Sequence, residues 1–210
     1  YSTSFEEPSA GTEYTDTGSA STDHYLWNNP LQSQVAYNST GGELGFTLYY
    51  ISTGGNGLTD GDYAGVTNYS SEVGNFTDGN QGYQMSDPDG IVQLAFDSVS
   101  DADMVSFDLF ISPTGWETSD YITITWISPS GNVTILDTNG YDIDTDFADY
   151  ESVWTNLWAP VSGSGYLMVE VSSNSGSEGF FLDNVTYIDT GVVASVSQLE
   201  CWLGSYQPST

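Results

Sequence analysis

The 210-residue sequence predicts an all-β chain: a two-sheet antiparallel β-sandwich (jelly roll) of about eight to ten strands, with a long Gly/Asp-rich insertion. Three observations lead there. Helical periodicity is almost absent, short runs alternate apolar with polar residues, and clusters of Gly, Asn, Asp and Ser separate those runs.

A first strand is expected near "TSFEEP". "ELGFTLYYIS" places Leu44, Phe46, Leu48 and Tyr50 on one face, and "IVQLAFDSV" does the same with Val92, Leu94 and Phe96. "MVSFDLFIS" alternates Val105, Phe107, Leu109 and Ile111 with Ser106 and Asp108. "YITITWI" sets Ile122, Ile124 and Trp126 against Tyr121, Thr123 and Thr125, and "NVTIL" follows it across the turn "SPSGN". "YLMVEVSS" and "FFLDNVTYI" are then joined by the turn-rich "NSGSEG". The stretch from about 52 to 90 is too long and too rich in Gly and Asp for a hairpin loop. It reads as an insertion of the kind that carries function or ions, with a weak internal echo between "LTDGDY" and "FTDGNQ". Residues 1–190 are expected to form the sandwich, and 191–210 a linker or docking segment.

Charge narrows the partners. The chain holds 0 Lys plus Arg against 29 Asp plus Glu, so no carboxylate can pair with an ammonium or guanidinium of its own chain. Nucleic acid and anionic lipid both demand basic side chains and are excluded. No apolar run reaches about 18 residues, so membrane insertion is not expected. Salt screening or bound cations must relieve the self-repulsion, and calcium is the natural counterion because it takes carboxylate and carbonyl oxygens. Absence of Lys and Arg also suits a chain that persists among trypsin-like proteases. The start at "YSTSFEEP" reads as a processed fragment whose signal peptide is gone. With one cysteine, Cys201, no intrachain disulfide forms; that residue is a buried small hydrophobe or an intermolecular contact. Asn38, Asn68, Asn75 and Asn132 head glycosylation sequons, whereas the sequon at Asn184 falls inside a strand. Together these features point to a secreted or cell-surface glycoprotein.

Asp183 interrupts the apolar run of "FFLDNVTYI". A carboxylate in a closing strand must be paired, hydrogen-bonded or metal-bound, and intrachain pairing with Lys or Arg is impossible here. A turn of backbone N–H groups or a cation remains. "SFEEP" near the start and "FLDNV" near the close together resemble the calcium-binding jelly-roll sandwiches among carbohydrate-binding modules, and more loosely the MAM-type adhesive domains. The resemblance implies adjacent first and last strands whose acidic side chains, Glu6 or Glu7 with Asp183, share a calcium with backbone carbonyls. The chain lacks the MAM cysteines. Further acidic loops offer calcium ligands: Asp60 and Asp62, Asp87 and Asp89, and Asp142, Asp144 and Asp146. The last three open like an EF-hand, but Phe147 and Val153 stand where Gly and Glu belong, so a solvated acidic loop is the favoured reading.

Among the six tryptophans, Trp126 alternates into the core, whereas Trp27, Trp116, Trp154 and Trp158 lie near loops with Tyr25 and Tyr63. Exposed rings stack on the apolar faces of sugars and also anchor protein interfaces. His24, the single histidine, is expected to be structural, since no strand-turn-helix nucleophile elbow accompanies it. The E-x-D-x-x-E signature of jelly-roll glucanases is also missing. A non-catalytic carbohydrate-binding or adhesive module is therefore expected, its partners being glycans. The alternative is a structural subunit of an extracellular filament, sheath or surface layer, its partners being other copies of itself.

Overall fold

The computed structural model describes residues 1–191; the segment with Cys201, and the linker or docking role expected there, lies outside the described residues. Among the described residues twelve strands run in the order β1 (Ser2–Thr3), β2 (His24–Tyr25), β3 (Phe46–Ile51), β4 (Tyr63–Thr67), β5 (Gly82–Ser86), β6 (Gly90–Phe96), β7 (Met104–Ile111), β8 (Tyr121–Ile127), β9 (Val133–Asp137), β10 (Thr155–Pro160), β11 (Tyr166–Ser173) and β12 (Phe180–Ile188). An α-helical turn, α1 (Ile143–Asp146), and a 3-10 turn (Ala148–Tyr150) lie between β9 and β10. The strands form two antiparallel sheets, β10-β7-β12-β5-β4 with β1 beside β12, and β2-β3-β6-β11-β8-β9. This is the sandwich expected from the alternation.

The period-2 runs face inward as read: β6, β8 and β11 alternate strictly between buried and half-buried positions. Their buried residues, among them Leu94, Ile124 and Val169, meet Phe107, Leu109, Phe180 and Leu182 of the other sheet in one apolar core. Trp126 is fully buried, edge-on to Tyr187 with ring centroids 5.0 Å apart. Each such side chain contributes about 1.5–3 kcal/mol of burial.

The stretch 52–90 corrects one expectation. It supplies β4 and β5, whose Ala64, Val66, Tyr83 and Met85 enter the core, so only 52–62, 68–81 and the short turn 87–89 are loops. Gly65 and Gly82 break the sequence pattern there. Gly65 sits at φ +110°, and a Cβ on it would stand 2.7 Å from the Gln34 carbonyl oxygen, so the residue must lack a side chain.

Asp183 and Asn184 mark a β-bulge. The register of β12 on β7 shifts between Asp183 and Thr186, and Asn184 takes φ +49°. Phe181 and Asp183 already face outward by alternation with Phe180 and Leu182, and the extra residue shifts the inward set after them to Val185 and Tyr187. On that face Phe181 packs with Phe110, Val73, Phe76 and the half-buried Trp154 into a second apolar cluster, roofed by loop 68–81.

Candidate functional site

The segment between β2 and β3 builds a groove. Leu26 and Val35 are buried and anchor its two arms, which turns the intervening Trp27 outward to 70% exposure. Asn28 straps the arms together: its Oδ1 accepts from Val35 N at 2.8 Å and Ala36 N at 3.0 Å, and its Nδ2 donates to Ala36 O at 2.7 Å. Beneath, the Tyr14 hydroxyl donates to the Trp27 carbonyl at 2.9 Å. Burial, aided by the nearby Asp16 charge, pushes that phenol up to about 12, so it remains a donor. The groove encloses about 480 Å³ and is bordered by Tyr25, Trp27 and Tyr37, with Gln34, Asn38 and Thr47 supplying polar groups. Tyr25 is itself braced edge-on by Tyr49 at 4.8 Å.

Fixed aromatic rings beside amides and a hydroxyl suit a ligand with apolar C–H faces and hydroxyl edges. A ring as exposed as Trp27 gains nothing for the fold, because it leaves its apolar face in water. Trp158 offers a second platform, 61% exposed on the outer face of its sheet opposite Ser106. Beside it, Asn156 Nδ2 donates to Asp108 Oδ1 at 2.7 Å, and Asn184 Nδ2 donates to Asp108 Oδ2 at 3.1 Å. The other two tryptophans expected to bind ligand are packed into the fold. Trp116 is 2% exposed in the core, its indole N–H donating to Ser112 O, because its loop folds back over the sheet ends. Trp154 pins loop 68–81 by donating from Nε1 to Val73 O at 3.0 Å.

First and last strands lie together as expected, Ser2 opposite Thr186. Asp183 is fully buried, and its Oδ2 accepts from Thr77 N at 2.7 Å, Thr77 Oγ1 at 3.0 Å and Asp78 N at 2.9 Å. Oδ1 accepts from Asn184 N at 2.7 Å. Burial raises this carboxyl to about 6, with the donors acting against the rise. Glu6 Oε1 accepts from Asn80 N and Gln81 N at 2.6 and 2.7 Å, and so holds the same loop. Glu7 receives the hydroxyls of Tyr37 and Thr40. Glu43, which carries no sequence signal of its own, accepts the backbone N–H groups of Ser4, Glu6 and Glu7 at 3.1 Å each. These oxygens face N–H and O–H donors.

The other predicted acids gather at one end of the sandwich. Strand registers bring loops 52–62, 87–89, 112–120, 138–154 and 174–179 out at that end. Asp60, Asp62, Asp87, Asp89, Asp142, Asp144 and Asp146 therefore share it, along with three residues not singled out from sequence. Glu117, Asp120 and Glu178 each offer a carboxylate oxygen, all within 4.8 Å of one another. Glu178 is 1% and Asp120 2% exposed. Glu178 Oε2 accepts from Asn174 N at 2.8 Å, and Asp120 Oδ2 accepts from Glu117 N at 2.9 Å. Burial pushes Glu178 up to about 7, reinforced by Asp120 and Glu117, and pushes Asp120 up to about 6. Burial, then the Asp144 and Asp142 charges, raise Glu151 to about 7. Burial, then Asp60, Asp87, Asp89 and Glu13, raise Asp62 to about 8. The Glu117–Asp120–Glu178 donor set fits a hard divalent cation, being all oxygen and convergent, in a chain without Lys or Arg. Its sequence signal was the close pair in "ETSD"; Glu178 joins only through the fold.

His24 is held by two polar contacts. Nε2 meets Asp16 Oδ2 at 2.8 Å and Nδ1 meets Thr22 O at 2.6 Å. Partial burial disfavours its charge, but these two partners outweigh burial and raise its pKa. Asn38, Asn68, Asn75 and Asn132 are all exposed. Among the described residues no helix is long and apolar enough to cross a membrane.

No protein-family model matches the chain, and no curated protein matches it. Among solved structures it is similar to the K2 cleaved adhesin domain of Lys-gingipain, at 12% identity over 80% of this chain and 98% of that one, with a TM-score of 0.48. It is also similar to a family 11 carbohydrate-binding module from Clostridium thermocellum solved with a mixed-linked tetrasaccharide, at 14% identity over 73% of this chain and 94% of that one, TM-score 0.35. A third is CBM51 from Clostridium perfringens solved with methyl-galactose, at 11% identity over 89% of this chain and 100% of that one, TM-score 0.33. Likeness at this level assigns no activity, and the function is read from the site's own chemistry.

Proposed function

We propose that this chain is an extracellular, calcium-stabilised module that binds neutral glycans without cleaving them. The Trp27 groove carries the reading: three aromatic rings line a cavity sized for sugar rings, and the polar groups on its rim are amides and a hydroxyl. Such a set recognises hydroxyl patterns and C–H faces by contact alone. The net charge of -29 favours neutral over anionic glycans, since the chain has no Lys or Arg to pair with a carboxylate or sulfate. Calcium takes the carboxylate end of the sandwich, where Glu117, Asp120 and Glu178 would hold it, and the cation would replace the protons that burial otherwise forces onto them. Its contribution is loop rigidity rather than chemistry on a substrate. Sequons on exposed loops suit a secreted glycoprotein.

A glycan array probed with the wild type and with Trp27→Ala tests the central claim. Binding to neutral glycans that falls at least tenfold in the variant, with an unchanged Tm, is expected. A wild type that binds no glycan, or a variant that binds as well, overturns it.

A further inference from the structure

A second cavity, of about 390 Å³, opens on the other side of the segment that forms the Trp27 groove. Ser33 of that segment lines it, whereas Gln34 and Ala36 line the groove. Gln84 of β5 and Gly65 of β4, paired across the sheet, belong to its lining, and Tyr63 and Tyr69 stand beside them, 42% and 44% exposed. Glu13 contributes a carboxylate, hydrogen-bonded to the Tyr63 hydroxyl.

Gln84 is the unusual residue. It is 6% exposed, its Nε2 donates to Ser86 Oγ at 3.2 Å, and its Oε1 has no partner. Turning the amide over exchanges the two atoms and leaves the nitrogen unpaired instead. Buried amides are ordinarily satisfied, because an orphaned one loses its hydration without return. In the same row of the sheet the next outward residues are Phe181 and Phe110, so an apolar side chain would fit here. A small turn of the amide off its Ser86 contact presents its free atom to the cavity. A hydroxyl matches it in either orientation, being both donor and acceptor.

The geometry points to a second sugar subsite in this cavity, taking one neutral, hydroxyl-rich ring against Tyr63 and Tyr69 with a hydroxyl on the Gln84 amide. It rests on the glycan-binding reading and adds a ligand-contacting set that the Trp27 groove does not include. Glu13 accepts a hydroxyl proton but repels a uronate or sulfate, so the subsite discriminates by charge as well as by shape.

The test is an NMR titration of isotope-labelled protein made in a host that does not glycosylate Asn68. The probes are neutral gluco-, galacto-, manno- and xylo-oligosaccharides, with matched oligouronates. One neutral probe is expected to shift the Gln84 side-chain amide and the Tyr69 backbone signal. Tyr69→Ala should weaken that response roughly fivefold to tenfold, the usual worth of one stacked ring, while leaving the Trp27 indole response intact. Gln84→Leu should weaken it likewise, and thermal melts of both variants report whether they fold. Neutral probes that move Trp27 but never Gln84 overturn the second subsite and leave the proposed function standing. Probes that move neither overturn both, and equal responses to oligouronates overturn the charge discrimination.

Discussion

Replacing Glu178 with Gln tests whether the acidic end is an unneutralised strain. The carboxyl is buried beside Asp120 and Glu117, and its rise from 4.5 to about 7 makes it an acid that the fold prefers protonated. Because the folded state holds this proton more tightly than the unfolded chain, stability is fully present below about pH 4.5. It is lost as pH rises towards 7. At about 1.4 kcal/mol for each tenfold change, ionising Glu178 at pH 8 costs the fold up to about 3 kcal/mol. Water reaching the exposed Glu117 side reduces this to about 1–2 kcal/mol. Glutamine keeps the acceptor that meets Asn174 N and removes the charge. Differential scanning fluorimetry at pH 8 in EDTA should therefore show Glu178→Gln melting about 3–6 °C above the wild type, a gain that vanishes near pH 4.5. Calcium should raise the wild-type Tm more than that of the variant. A variant less stable than wild type at pH 8 in EDTA, or one that gains equally from calcium, refutes the reasoning.

Without divalent ions, the wild-type Tm should climb as pH falls from 8 to about 5, since Asp62, Asp120, Glu151, Glu178 and Asp183 all have raised pKa values. His24, also raised, is stabilised when charged and lost as pH rises, so it acts in the same direction; a flat or inverted Tm profile contradicts this sum. Asp183→Ala leaves the N–H groups of Thr77 and Asp78 without an acceptor and should cost about 2–4 kcal/mol, with faster hydrogen exchange confined to 68–81. Exchange that rises uniformly would mean that Asp183 does not hold this loop. Trp116→Ala should destabilise by about 3–5 kcal/mol in urea titrations, as a core deletion does, whereas Trp27→Ala should move stability by less than about 1 kcal/mol.

Sequence alone determined the sheet architecture, because period-2 alternation over runs such as "YITITWI" buries one face whichever strand lies beside it. It also determined the electrostatic problem, since a chain without Lys or Arg must meet each buried carboxylate with a proton, a backbone N–H or a cation. The break in "FFLDNVTYI" was legible as an anomaly. Its meaning, an outward Asp183 that holds loop 68–81 at the edge of a bulge, came only from the partner strand and the roof. Strands β4 and β5 carry no clear sequence signal because Gly65 and Gly82 erase the alternation, and the Gly65 requirement is set by Gln34, far off in sequence. Trp27, Trp116, Trp154 and Trp158 look alike as loop-side tryptophans, yet packing exposes the first and last and buries Trp116. Tertiary structure decided, too, which acids meet: Glu178 reaches Glu117 and Asp120 because β7–β8 and β11–β12 turn at the same end of the sandwich. Local pattern fixes which face a residue takes, but which distant residues share that face depends on strand order and register.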